Sequence, residues 1–213
     1  AGDTTRARGA VHRRPLAREP RLSRSRLAAL YALAVILGIV TAWLWLTKVG
    51  PSGVDAGVWR VNLLAGSTSA DAYTRARIAL GALLALDRRE TLYYIARSDE
   101  RGESLRADCR YRLSGPAPAA RWWSVTAYDE DFFLFENAAR RYSVNGDTAP
   151  RDPQGQIVFE VGPESVTAKP PDLPTQGAGA LLLTLRLYNP ALSLQRDPGS
   201  LAAPRIDVVG SCP

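Results

Sequence analysis

The stretch Ala180-Leu181-Leu182-Leu183-Thr184-Leu185-Arg186-Leu187-Tyr188 decides the fold. Leu181, Leu183, Leu185 and Leu187 fall at every second position, and Thr184 and Arg186 occupy the alternate ones. A period of two is the side-chain repeat of a strand, with a leucine row for one face and polar groups for the other. The same alternation recurs upstream. Over residues 121–128, Trp123, Val125 and Ala127 share one side. Over 104–113, Cys109, Tyr111 and Leu113 share one face, with Arg110 and Arg112 opposite. Residues 91–98 and 104–113 flank Asp99-Glu100-Arg101-Gly102-Glu103, which reads as a hairpin. Shorter strands are expected over 132–135, 141–144, 156–161 and 205–209, punctuated by Asn145-Gly146-Asp147 and Asp152-Pro153-Gln154-Gly155. Short strands separated by Gly and Pro turns specify a mainly β domain, an antiparallel sandwich-like body over residues 70–213.

One helix is expected at the start of that body. Ser69-Ala70-Asp71 supplies capping side chains, and Ala72, Ile78, Ala79, Ala82, Leu83 and Leu86 recur at helical spacing as far as Asp87. Arg75, Arg77 and Arg88 lie off that stripe, so the helix is amphipathic and packs on a neighbour. Before it, residues 48–69 form a linker that begins with the turn-rich Gly50-Pro51-Ser52-Gly53.

Further outward, residues 27–47 contain no charged side chain. At about 1.5 Å per residue this stretch spans roughly 31 Å as a helix, the thickness of a bilayer hydrocarbon core. Tyr31 near one end and Trp43 and Trp45 near the other are placed to anchor at the two headgroup layers. Residues 1–26 form a basic arm whose eight arginines against two acids account for the whole formal net charge of +6. The rest of the chain is electrically balanced. Arginine excess before the apolar run predicts a cytoplasmic N-terminus and a periplasmic C-terminal domain in a bacterial inner membrane, with lipids as the first partner. The run is longer than the apolar core of a signal peptide, and no clear A-x-A site follows it, Val54-Asp55-Ala56 being the nearest match. It is therefore read as an uncleaved, single-pass signal-anchor. Ala34, Gly38 and Ala42 repeat at four-residue spacing, which lets a second helix approach closely; the expected partners are other membrane-protein subunits.

Composition removes several classes of function. With 46% hydrophobic and 23% charged residues the chain is globular, and 17 Gly and 15 Pro without a fixed period exclude collagen-like repeats. The arm carries no aromatic residue for stacking bases, which argues against nucleic acid. Two cysteines are too few for a disulfide scaffold or a four-cysteine zinc site. Cys109, mid-strand, and Cys212, the penultimate residue, are expected to join in an oxidising compartment; the alternative is two buried thiols. The single histidine, His12, lies in the arm, so the body has no imidazole base for a Ser-His-Asp system, and Lys169 stands without catalytic spacing. Asp129-Glu130-Asp131 has no calcium-loop spacing and reads as a solvated turn. No catalytic residue, cofactor or metal is expected.

Several blocks together resemble a known family. Tyr73-Thr74-Arg75-Ala76-Arg77, Glu90-Thr91-Leu92-Tyr93-Tyr94, Arg121-Trp122-Trp123-Ser124-Val125-Thr126-Ala127-Tyr128-Asp129 and Leu183-Thr184-Leu185-Arg186-Leu187-Tyr188-Asn189-Pro190 occur in this order. They resemble the bacterial family known as domain of unknown function 1214 over about residues 70–210. The resemblance implies an exported β-rich domain with no established activity, here behind a membrane anchor. Members often carry an N-W-L-P-like segment before the last long strand; Pro171-Asp172-Leu173-Pro174-Thr175 stands in that place without the tryptophan.

Binding is more in keeping with these residues than chemistry. Trp122, Trp123, Tyr128, Phe132, Phe133 and Phe135 crowd into fourteen positions. An exposed subset of them beside a cation would hold an anionic or amphipathic ligand or a protein partner, and Trp122, Tyr128, Arg141 and Arg186 are the candidates. The expected function is that of a non-enzymatic accessory or assembly subunit of a membrane complex, of photosynthetic or respiratory type. The alternative is a membrane-anchored envelope ligand-binding protein or a carbohydrate- or lipid-processing enzyme.

Overall fold

Leucine and aromatic residues at alternate strand positions bury one face of each of two sheets, and those two faces share a single core. The computed structural model describes residues 23–48, 53–80, 85–163, 172–210 and 212. The arm over 1–22, the turn at Gly50-Pro51-Ser52, the positions Ala82 and Leu83, and Lys169 lie outside the described residues.

The chain divides into two units, Ala1–Thr47 and Lys48–Pro213. The first holds all but the last residue of α1 (Arg24–Lys48), a 25-residue helix. It is long and apolar enough to cross a membrane, and none of its apolar span is buried. It runs three residues earlier and one later than the uncharged stretch, because a helical backbone continues through the charged residues that flank an apolar core. Its one mid-span hydroxyl is satisfied internally: Thr41 Oγ1 donates to the carbonyls of Leu37 at 2.7 Å and Gly38 at 3.0 Å. Such back-bonding removes the cost of a free polar group in hydrocarbon.

The second unit contains β1 (Val54–Ala56), β2 (Trp59–Val61), α2 (Ala72–Leu80), β3 (Thr91–Ala96), β4 (Tyr111–Gly115), β5 (Ala120–Tyr128), β6 (Ser143–Asn145), β7 (Ile157–Pro163), β8 (Leu173–Thr175), β9 (Leu182–Pro190), α3 (Leu192–Arg196), a 3-10 turn (Pro198–Ser200) and β10 (Arg205–Val208). A six-stranded antiparallel sheet has the order β1-β2-β3-β9-β5-β6, and a four-stranded sheet the order β10-β4-β7-β8. The alternating leucines make β9 a central strand. Leu183, Leu185 and Leu187 face inward with Tyr94 and Leu92 from β3 and with Trp123, Val125 and Ala127 from β5. Tyr111, Leu113, Ile157, Phe159, Val161 and Ile206 from the second sheet complete the same core.

Longer-range bonds close the body. Trp59, 1% exposed, donates its indole N–H to the Pro204 carbonyl at 2.7 Å, and the Tyr94 hydroxyl donates to the Pro198 carbonyl at 2.9 Å. Burial, with the Asp197 charge nearby, pushes the Tyr94 phenol well above its ordinary value. Cys109 and Cys212 form a disulfide with a Cα–Cα distance of 4.8 Å.

Several local expectations are corrected. The turn at Asp99–Glu103 forms, with Asp99 Oδ1 accepting the N–H groups of Arg101 and Glu103 at 2.9 Å each. The hairpin nevertheless ends at the bridge between Ser98 and Ser104. The buried residues Leu105, Ala107 and Cys109 then carry the chain from one sheet to the other, so β3 and β4 never pair. Alternation reports which face is buried and not which strand is adjacent. Residues 132–135 are a turn and not a strand. Asp129 Oδ1 accepts N–H groups from Asp131 at 3.0 Å and Phe133 at 2.8 Å, Phe132 takes a φ of 65°, and only Leu134 bridges back to Tyr128.

Asp71 caps α2 through the N–H groups of Tyr73 at 2.9 Å and Thr74 at 3.0 Å. These bonds and the Thr74 hydroxyl, foremost among them, hold its carboxyl below the ordinary range. The helix does not continue to Asp87, since residues 85–87 have left it. Their backbone instead folds against Gly66, whose φ is 71°; a Cβ there would collide with the Leu86 carbonyl oxygen. Only a glycine permits that approach. Within residues 48–69, β1 and β2 pair as a hairpin that widens the six-stranded sheet. One pair departs from the antiparallel pattern, β8 lying parallel to β7.

Candidate functional site

The two sequence blocks around Trp123 and Leu185 become neighbouring strands, β5 and β9. Their register sets Trp122 opposite Tyr188, Ser124 opposite Arg186 and Thr126 opposite Thr184. The core takes the odd-numbered residues of both strands, so these six stand together on the other face of the sheet.

Arg186 is the centre of that face. It is half-buried, and its guanidinium donates to Thr126 Oγ1 at 3.1 Å and to Tyr128 Oη at 2.7 Å. Its Cζ lies 5.5 Å from the centroid of the Tyr128 ring, within cation–π range. The Phe132 ring stands 6.1 Å from Tyr128, tilted by 53°. Farther along β5, Trp122 and Tyr188 pair at 5.2 Å with a tilt of 59°, and the Trp122 indole N–H donates to Asp147 Oδ2 at 3.3 Å. Trp122 keeps 37% of its surface exposed, whereas Trp123, one position on, keeps 3% and belongs to the core.

Thr184 and Thr91 are each 1% exposed, and their hydroxyl oxygens find no hydrogen-bond partner among the described residues. Thr126 and Thr184 were not picked out from the sequence as site residues. The signal was present in Trp122-Trp123-Ser124-Val125-Thr126-Ala127-Tyr128, where Ser124, Thr126 and Tyr128 alternate with the core positions.

Of the sequence candidates, Tyr128 and Arg186 are in direct contact, and Trp122 lies on the same face. Arg141 belongs to a different feature, the loop preceding β6. Asn137 clasps that loop, accepting the Arg141 N–H at 2.8 Å and donating to the carbonyls of Phe135 at 3.1 Å and Arg141 at 3.0 Å.

A second feature is a depression of about 430 Å³ whose lining includes Asp129, Glu130, Asp131 and Glu136. Among the described residues no group of His, Cys, Asp or Glu is arranged to hold a metal ion. The Asp129 carboxylate is already committed to the backbone of its own turn. In α1, Tyr31, Trp43 and Trp45 are exposed, and a Cβ on Gly38 would meet nothing within 4 Å, so the surface at Gly38 between Ala34 and Ala42 is open.

Comparison with known proteins gives a family-model match over part of the chain and a likeness of fold. The family model described as "Protein of unknown function (DUF1214)" matches residues 90–192. Among solved structures, the chain is similar to the VPA0106 protein from Vibrio parahaemolyticus, with a TM-score of 0.57 and 21% identity over 91% of this chain and 47% of that one. It thus spans about half the length of that protein, and the likeness is one of fold. An uncharacterised protein from Burkholderia cenocepacia aligns with 62% of this chain and 32% of its own, at a TM-score of 0.44 and 19% identity. No curated protein matches the chain.

Proposed function

From a chain whose residues 90–192 match the DUF1214 family model, we infer a single-pass inner-membrane protein that presents a periplasmic β-sandwich as a non-enzymatic accessory or assembly subunit of a membrane complex. The observation that carries this reading is α1, a 25-residue apolar helix with none of its span buried. An apolar surface of that length is unstable in water and requires lipid or other helices around it. The Cys109–Cys212 disulfide supports an oxidising compartment for the second unit, because such bridges are rare in the cytosol. The arginine-rich arm supports the orientation with the N-terminus inside. The open surface at Gly38, between Ala34 and Ala42, supports close approach by another subunit's helix.

Native mass spectrometry of the protein solubilised in mild detergent tests the accessory role. The wild-type chain is expected to carry additional membrane-protein masses, and Gly38→Leu to lose them while keeping the same thermal midpoint. A wild-type chain that flies as a bare monomer, or an assembly unaffected by Gly38→Leu, contradicts helix docking at this face.

A further inference from the structure

We propose that Arg186, with Tyr128 and Thr126, forms a binding site for a small oxyanion, a carboxylate or phosphate carried on an apolar body. Several arginines of the sandwich are compensated by carboxylates, whereas others, such as Arg101, Arg121 and Arg151, are exposed to solvent without one among the described residues. Arg60 pairs with Asp55, Arg106 with Asp108, Arg110 and Arg112 with Glu160, and Arg205 with Glu100 and Asp207. Arg186 has no carboxylate within salt-bridge distance among the described residues, although it is half-buried and loses part of its hydration. Its hydrogen-bond partners, Thr126 and Tyr128, are neutral. Neutral acceptors satisfy two of the five guanidinium N–H groups and leave the charge uncompensated.

The two hydroxyls add to the site. Each accepts from Arg186 through its oxygen, so each O–H proton is turned away from the cation. The remaining guanidinium N–H groups and the Tyr128 O–H are donors of the kind that bind a carboxylate or phosphate by charge-assisted hydrogen bonds. Thr184 is a second, independent observation. It lies directly across from Thr126 on the same face, is 1% exposed, and its hydroxyl has no partner among the described residues. A buried hydroxyl left in that state costs free energy unless a ligand or water completes it.

Aromatic rings bound this polar centre on both sides along β5. Phe132 stands beside Tyr128 at one end, and the Trp122–Tyr188 pair stands at the other. Trp122 and Tyr128 are six residues apart on one strand, roughly 20 Å. The exposed Trp122 ring and the half-buried Phe132 ring offer flat apolar contacts for the body of the ligand, while the cation fixes its head. Acidic residues lie near this face but do not occupy the centre: Asp147 is held by the Trp122 indole and Asp129 by its own turn. The site stands apart from the membrane role and does not depend on it.

Isothermal titration of the full-length, detergent-solubilised chain with inorganic phosphate, benzoate and phenyl phosphate tests this site. Benzoate and phenyl phosphate are expected to bind saturably, and phenyl phosphate to bind more tightly than inorganic phosphate. Arg186→Gln is expected to weaken both aromatic probes by roughly ten- to a hundredfold, the range for a charge-assisted hydrogen bond. Tyr128→Phe, which keeps the ring, is expected to weaken them several-fold with an unchanged circular dichroism spectrum. Absence of saturable binding by either aromatic probe, or equal affinities in wild type and Arg186→Gln, overturns the proposal. If Arg186→Gln does not fold, Tyr128→Phe decides alone, and an unchanged affinity in that variant also overturns it.

Discussion

Cys212→Ser is expected to destabilise the sandwich by up to about 4.7 kcal/mol, the chain-entropy value for a loop of roughly a hundred residues. The bridge links positions 103 residues apart. It has this leverage because of what lies at its two ends. Cys109 stands two residues before β4, and Cys212 follows β10, which is the edge strand paired with β4. The Val209 N–H donates to the Arg110 carbonyl at 2.8 Å, so the pairing runs right up to the bridge. Without it, a four-residue edge strand would have to find its register unaided. For a body of this size the loss corresponds to a fall in melting temperature of roughly 10–20 °C. Cys212 is exposed, so serine there introduces no buried polar group. Urea unfolding followed by tryptophan fluorescence, with and without reductant, checks the result. Reductant should bring the wild type down to the Cys212→Ser midpoint and leave the variant where it is. Coincident midpoints for oxidised and reduced wild type would show that the bridge contributes nothing.

Leu185→Ala should cost about 2–5 kcal/mol, the range for removing a leucine side chain from a packed core. Leu185 lies in register with Tyr94 on β3 and Val125 on β5, and all three are 0% exposed. The residues around it are strand side chains held in place by hydrogen-bonded neighbours on both sides, so they cannot close over the cavity by moving independently. Leu192→Ala is the matched control. Leu192 is 67% exposed on α3, and its truncation should change stability by less than about 0.5 kcal/mol. Chemical denaturation of the two variants measures the difference. A cost below about 1 kcal/mol at Leu185 would remove it from the centre of the core.

The alternation at Leu183, Leu185 and Leu187 was legible because one strand face is buried in full, and the same holds for Trp123, Val125 and Ala127. What alternation does not encode is adjacency. Nothing local in residues 91–113 reports that β3 pairs with β9 while β4 pairs with β7 and β10. That choice is made by distant contacts such as Trp59 to Pro204. Of the four three-residue strands, β6 is marked by the Asn145-Gly146-Asp147 turn, whereas β1, β2 and β8 are too short for a periodic signal, and β8 contains Pro174. The aromatic run 132–135 was misleading because side-chain capping by Asp129 decides the local backbone, and hydrophobicity does not reveal it. For the candidate site, Tyr128 and Arg186 could be named from residue type. The role of Thr126 and the buried hydroxyl of Thr184 followed only from the register between β5 and β9.

The whole account rests on a sandwich carried outside the cytoplasm by one apolar helix, and protease access in intact spheroplasts measures this directly. Protease added from outside should digest the C-terminal body and leave a protected fragment comprising the arm and the helix. A body that survives until the spheroplasts are lysed would place the sandwich inside and contradict the account.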